Sequence, residues 1–344
     1  MATIIVPTFN EQENLPELAR RIRASLDSSA EILVMDDSPN DSTASVAHSL
    51  GCKVVQREGL KGLSRAVIDG IKLSNSEKVI VMDADLQHPP ETLPALIEAL
   101  EENDFVVMSR YIKGGGCKEW DLDRKFVSRV ANLAARPLQL KVHDLVSGFF
   151  GFKRKGLPEL NTVSPRGFKI MLELLVRGRW HQVAEVPYIF ESRTKGESKL
   201  SKQRVTDYVL QLIDLYLHKF RLLRFGLVGV LGAIIGLPLL YTLTEFVGLY
   251  YIVSAIIAII CASTSNYFFN NLWTFREKRR KGRGHILGWL KYQVLSAGGD
   301  GMYLGLLFLL TSVFGVWYML SSVISISTIF ILKYLFANKV IWRK

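Results

Sequence analysis

The sequence is poor in cysteine: Cys52, Cys117 and Cys261 are the only three in 344 residues, and no C-x-x-C pair occurs. That argues against a disulfide framework or a structural zinc site, and for a reducing compartment. Proline is sparse at 11, and the 26 glycines follow no G-x-y period, which excludes a collagen-like chain. With 49% hydrophobic and 22% charged residues, the composition is not that of a disordered chain either. A basic leader is missing. Met1-Ala2-Thr3-Ile4-Ile5-Val6-Pro7 has no basic n-region and too short an apolar run for a signal peptide, so the first domain is expected in the cytosol.

Acidic residues are scarce in the last third. Residues 222–344 hold 12 Lys/Arg and 3 Asp/Glu, whereas residues 1–221 hold 31 and 29. The net charge of +11 therefore belongs mainly to the apolar end of the chain. Basic residues beside apolar runs are membrane topology signals, and no nucleic-acid partner is expected. Four apolar segments, near 225–244, 249–269, 292–312 and 316–337, are each long enough to cross about 30 Å of hydrocarbon. The second and third are joined by the basic loop Arg276 to Arg283, while the turns near Gly248 and Gly315 carry no Lys or Arg. The positive-inside rule puts that loop, both termini and the preceding domain on the cytoplasmic side. An integral protein of a prokaryotic cell membrane is expected. Two charges, Asp300 and Lys333, fall inside the spans. Either Lys333 snorkels to the interface, or the two pair between the third and fourth spans.

The first 200 residues alternate strand and helix signals. Ile4-Ile5-Val6, Ile32 to Met35, Val79 to Met82 and Phe105 to Met108 are short, continuous apolar runs, as in parallel strands buried on both faces. Helical patterns lie between them, such as Glu13 to Leu26 and Pro90 to Leu100. This predicts an α/β domain with a mostly parallel sheet and ligands beyond the carboxyl ends of its strands. Acidic residues stand at those ends: Asp36 and Asp37, then Asp83 and Asp85. The D-x-D of Asp83 and Asp85, followed by Gln87, is a hard-oxygen set suited to Mg²⁺ or Mn²⁺ beside a diphosphate. From Val205 to Phe220 apolar residues recur at helical spacing ahead of Arg221 and Arg224. Such a helix either faces a core or lies in the membrane interface, and its place before a span favours the interface.

Five motifs occur in order: P-T-F-N-E from Pro7, V-M-D-D-S-P-N-D-S-T from Val34, D-A-D-L-Q-H-P-P-E from Asp83, S-R-Y-I-K-G-G-G from Ser109 and R-T-K-G-E-S-K-L from Arg193. Together they resemble the inverting family-2 glycosyltransferases of GT-A (Rossmann-like) fold, and more narrowly the dolichyl-phosphate (polyprenyl-phosphate) mannose synthases. The apolar third resembles the GtrA-like four-helix membrane domain fused to one class of them. The resemblance implies three regions: a cytosolic GT-A domain over 1–202, an amphipathic interfacial linker over 203–221, and an all-α membrane domain over 222–344. It also implies transfer of mannose from GDP-mannose to dolichyl or polyprenyl phosphate in the bilayer. By the same resemblance, Pro7, Phe9 (where the family usually has Tyr), Glu11, Val34, Asp36 and Ala84 would contact the nucleotide sugar. Asp83, Asp85 and Gln87 would hold Mg²⁺ or Mn²⁺. Arg110, Arg124, Arg193 and Lys199 would bind the phosphates of donor and lipid, with Asp85 and Arg124 closest to the chemistry.

The residue types fit that reaction. A lipid monophosphate is already anionic near neutral pH and needs no general base, so a cationic pocket that aligns two anions suffices. Rival readings are a UDP-glucose-dependent polyprenyl-phosphate glucosyltransferase, a processive polysaccharide synthase and a membrane protein that translocates lipid-linked sugars. The synthase reading lacks its Q-x-x-R-W element, since Arg177-Gly178-Arg179-Trp180 has no Gln at the required place. The translocation reading leaves the D-x-D unexplained.

Overall fold

The structure is a computed structural model. It describes residues 2–26, 30–40, 42–118, 122–165, 169–192 and 202–343. The chain forms two compact units, Met1–Lys219 and Phe220–Lys344.

The first unit is built on nine strands: β1 (Ala2–Thr8), β2 (Ala30–Asp36), β3 (Lys53–Gln56), β4 (Lys78–Val81), β5 (Phe105–Ser109), β6 (Gly116–Cys117), β7 (Phe150–Lys153), β8 (Val183–Pro187) and β9 (Ile189–Phe190). Seven form one sheet in the order β3-β2-β1-β4-β7-β5-β8, parallel except for β7. All seven residues of β1 and all five of β5 are buried, as the unbroken apolar runs predict. The helices are α1 (Leu15–Ser25), α2 (Ser42–Ser49), α3 (Leu63–Leu73), α4 (Leu93–Glu102), α5 (Leu122–Ala135), α6 (Ile170–Arg177) and α7 (Lys202–Lys219). Leu15, Leu18 and Ile22 of α1 and Leu93, Leu96 and Leu100 of α4 share one core with Ile4, Val6 and Val34 of the sheet. The chain winds outward from β1 through β2 to β3, then returns to the far side of β1 at β4. The strand order thus reverses between β1 and β4, the point at which open α/β sheets place ligands beyond the carboxyl ends of their strands.

Helix α7 belongs to this first unit. Tyr208 and Tyr216 donate their hydroxyls to the carbonyls of Ala131 and Ala134 on α5, at 2.8 and 2.7 Å. Asp214 pairs with Arg177, and Gln211 Nε2 donates to Lys169 O. Helix α7 leaves Val205, Val209 and Ile213 exposed, and the neighbouring α5 exposes Phe126, Val130 and Leu133. The amphipathic helix expected from the sequence is present, with one face packed on its own domain and an apolar face left open.

The second unit contains α8 (Arg221–Glu245), α9 (Tyr251–Phe269), α10 (Arg283–Phe308) and α11 (Tyr318–Phe336), one helix for each expected apolar segment. Among the described residues three helices are long and apolar enough to cross a membrane: Arg221–Glu245, Arg283–Val313 and Val323–Ile341. Helix α9 has 19 residues, some of whose side chains lie outside the description. Phe225, Tyr267, Phe275, Tyr292, Ile341 and Trp342 form a buried cluster at one end of this unit. Asn271 Oδ1 accepts the Trp342 indole N–H at 2.9 Å and the Arg280 backbone N–H at 2.8 Å. Lys333 Nζ donates to Asp300 Oδ1 at 2.9 Å, so of the two expectations for these charges the pair is the one formed.

Candidate active site at the carboxyl ends of the strands

The ends of β1 and β2 are tied together by hydroxyls. Thr8 Oγ1 donates to Asp36 Oδ1 at 2.8 Å across the register pair Thr8–Asp36. The same oxygen accepts the Ser38 hydroxyl at 2.6 Å and its N–H at 3.3 Å. Asp36 is fully buried, and its Oδ2 has no partner among the described residues. A buried carboxylate oxygen without a donor is costly, and a ligand hydroxyl arriving at these strand ends would satisfy it. Asn10, at φ +56°, donates its N–H to Ser38 Oγ and fixes the loop that presents Phe9 to solvent. Asp37 is spoken for. It accepts Arg57 Nη1 at 2.6 Å and Gly62 N–H at 2.7 Å, and Arg57 also holds Asp69.

Beyond β4 the D-x-D turn is locked by its neighbours. Asp83 N–H donates to His88 Nδ1 at 3.2 Å. His88 is buried against the Phe149 ring at 5.2 Å and the edges of Tyr188 and Phe190. Burial pushes its pKa down to about 4, so a neutral ring accepts this bond at physiological pH. Asp85 Oδ1 accepts the Gln87 N–H at 3.2 Å in an Asx turn. Leu86, between them, sits at φ +61°, a conformation that costs a bulky L-residue roughly 1–3 kcal/mol and survives where surrounding contacts impose it. Gln87 exchanges bonds with the 191 backbone, Nε2 donating to Glu191 O and Gln87 O accepting from Glu191 N. Gly148 makes the close approach behind Asp83 possible, because a Cβ there would lie 2.7 Å from Asp83 Oδ2.

Among the described residues no three His, Cys, Asp or Glu side chains gather around one point. Two carboxylates and one amide oxygen on a single turn suit a hard divalent cation that takes its remaining ligands from water and a substrate diphosphate.

The other expected residues differ in how they are buried and paired. Pro7, Val34 and Ala84 have buried side chains, Val34 and Ala84 within the main core, so any part they play at a ligand runs through their backbone. Glu11 Oε2 accepts Asn14 Nδ2 at 2.7 Å at the start of α1. Arg110, expected at the phosphates, is paired with Asp144 in this structure. Its Nε and Nη2 edge is taken bidentately by Asp144, at 2.7 and 2.8 Å, and its backbone N–H bonds the same carboxylate. Burial works against its charge, yet Asp144 holds it protonated well above the usual arginine range. An edge so engaged is not one to grip a phosphate. Arg124 lies in the first turn of α5, but its side chain is outside the described residues, as are Arg193 and Lys199 entirely.

No motif or spacing in the chain pointed to Asp144. Lys169 left a trace, a cation opening the apolar run Ile170-Met171-Leu172. Its Nζ is buried and donates to Val146 O at 2.6 Å, and burial, with Arg110 nearby, pushes its pKa down to about 8. Val146, Gly148 and Asp144 thus belong to one short segment that contacts Lys169, Asp83 and Arg110 in turn.

Comparisons with known proteins agree with this architecture. Residues 3–160 match the glycosyl transferase family 2 description, and residues 224–342 match the GtrA/DPMS transmembrane domain. A protein of Pyrococcus furiosus named dolichol-phosphate mannosyltransferase is 36% identical over 99% of both chains. One of the same name from Saccharomyces cerevisiae is 37% identical over 63% of this chain and 88% of its own. Among solved structures, glucosyl-3-phosphoglycerate synthase from Mycobacterium tuberculosis matches 64% of this chain and 79% of its own, at 19% identity and a TM-score of 0.45. The two matched domains and an end-to-end relative lead to one assignment: the chain is a glycosyltransferase of the dolichol-phosphate mannosyltransferase family, and here a family-2 domain is joined to a GtrA/DPMS transmembrane domain.

Proposed function

We propose that this glycosyltransferase moves mannose from GDP-mannose to dolichyl or another polyprenyl phosphate, with inversion, releasing GDP and a β-linked lipid-phosphate sugar. The observation that carries the reading is the strained D-x-D turn at the point where the strand order reverses. The names of the full-length relative and the yeast relative support the sugar and the acceptor.

Asp83, Asp85 and Gln87 hold Mg²⁺ or Mn²⁺ in this reading. When bound, the ion supplies positive charge opposite the departing diphosphate. The strand ends beside it receive the nucleoside, with Phe9 against it, the Pro7, Val34 and Ala84 backbone along it and the unpartnered Asp36 Oδ2 accepting a hydroxyl. Glu11 steadies the Phe9 loop through Asn14. Arg124, Arg193 and Lys199 gather donor and lipid phosphates and hold the acceptor oxygen in line with the anomeric carbon. The acceptor oxygen carries its own negative charge, so no proton has to leave before attack. Arg110 acts one step back, fixing the 142–149 segment through Asp144. The exposed apolar faces of α5 and α7 meet the lipid interface on the cytoplasmic side, where a membrane-held phosphate is within reach.

Titration calorimetry of the full chain in nanodiscs with GDP and with UDP, each with and without Mn²⁺, tests the donor assignment. Tighter Mn²⁺-dependent binding of GDP is expected. Preference for UDP would move the reading to a glucosyltransferase.

A further inference from the structure

The basic end of the membrane unit carries one cation that topology alone does not explain. Arg224, in the first turn of α8, is only 4% exposed. Its Nη1 donates to Trp273 O at 3.3 Å, and its Nε has no partner among the described residues. Among the described residues no carboxylate forms an ion pair with it. Glu277, which acts on Arg224 only through space, is itself engaged by Arg221, and Arg276 on the 276–278 turn adds a second positive charge. Beside that turn opens a cavity of about 380 Å³ lined by Lys278, Asn338, Lys339 and Arg343, again without an acid. Cations that merely set topology sit in water. A guanidinium buried among apolar helices needs a counter-charge, because desolvation without one is not recovered.

We propose that this end of the membrane unit is an anion site, anchored by Arg224 with Arg276 beside it, that takes the phosphate of a lipid headgroup. The guanidinium offers a planar donor edge, and the phosphate supplies both the missing acceptor and the missing negative charge. Basic pockets between membrane helices take lipid headgroups on this principle. The site is formed by residues of the membrane unit and does not depend on the identity of the sugar donor.

The test is thermal unfolding of the full chain in three nanodiscs: phosphatidylcholine alone, with added phosphatidylglycerol and with added polyprenyl phosphate. A fourth arm adds inorganic phosphate to phosphatidylcholine discs. The wild-type midpoint should rise by roughly 5–10 °C in at least one of the two anionic-lipid arms, and which arm responds names the source. Arg224→Met should abolish that rise without lowering the midpoint in phosphatidylcholine, since it removes a charge that is uncompensated there. Arg276→Gln, an exposed change that leaves folding intact, should roughly halve the rise, while Lys281→Ala should leave it unchanged. Equal destabilisation of Arg224→Met in every disc would overturn the proposal and reduce Arg224 to a brace for Trp273. So would a rise with free phosphate only, or a lipid response that survives both substitutions.

Discussion

Asp144→Asn tests whether Arg110 is a brace or a phosphate ligand. The pair is buried, with three bonds of 2.7–3.0 Å converging on one carboxylate. Asparagine keeps the volume but removes the charge and one acceptor geometry, leaving the guanidinium buried and unbalanced. Breaking such a pair costs about 3–5 kcal/mol. For a unit of this size that corresponds to a fall of about 6–20 °C in its unfolding midpoint. The double change Arg110→Met with Asp144→Leu replaces the pair by packed apolar atoms and should lose less than Asp144→Asn alone. The assay is thermal unfolding of the full chain in neutral nanodiscs, with GDP affinity measured well below the midpoint. A brace predicts a large stability loss with GDP affinity within about threefold of wild type, a difference of about 0.7 kcal/mol. An unchanged midpoint with GDP affinity lost tenfold or more would refute the reasoning and return Arg110 to the phosphates.

Three other sets of substitutions probe separate parts of the account. Asp300→Asn and Lys333→Met each leave a lone charge among membrane helices and should cost about 2–3 kcal/mol in unfolding in bicelles; the double variant should lose less than their sum, and simple additivity would show that the 2.9 Å contact is energetically empty. Gly148→Ala would push on Asp83 Oδ2 and should cut steady-state transfer by about 10–100-fold while leaving the midpoint within about 3 °C; full activity would mean that Asp83 does not need its present position. Phe126→Asp with Leu133→Asp places charge on the open face of α5 and should weaken transfer to membrane-embedded acceptor more than to a short water-soluble polyprenyl phosphate. Equal loss on both acceptors would remove that face from the lipid interface.

The legible parts of the fold were those that depend on local pattern. Unbroken apolar runs at Ile4, Ile32, Val79 and Phe105 became buried parallel strands because a strand covered on both faces has no polar side to show. Four apolar segments became four helices for the same reason. The D-x-D stood out because two carboxylates at a strand end have no use in a core. What escaped was pairing across distance. Arg110 looks like any basic residue after a strand, and only folding brings Asp144, 34 positions later, onto its edge. Strand β7 entering antiparallel between β4 and β5 was equally hidden, since Phe150 to Lys153 carries no mark of direction. Asp300 and Lys333 could be matched from sequence only because helical rise sets their depth in known spans.

The most direct test of the central claim is transfer of labelled sugar by the full chain in nanodiscs to a short polyprenyl phosphate, from GDP-mannose and UDP-glucose in parallel. Each donor is run with Mg²⁺, with Mn²⁺ and with EDTA, for wild type and Asp85→Asn. The account predicts β-linked mannosyl lipid from GDP-mannose with either metal, and at least a hundredfold less with EDTA or with Asp85→Asn, a loss of about 2.7 kcal/mol or more in transition-state stabilisation. Undiminished transfer in EDTA by Asp85→Asn, or an α-linked product, would contradict it.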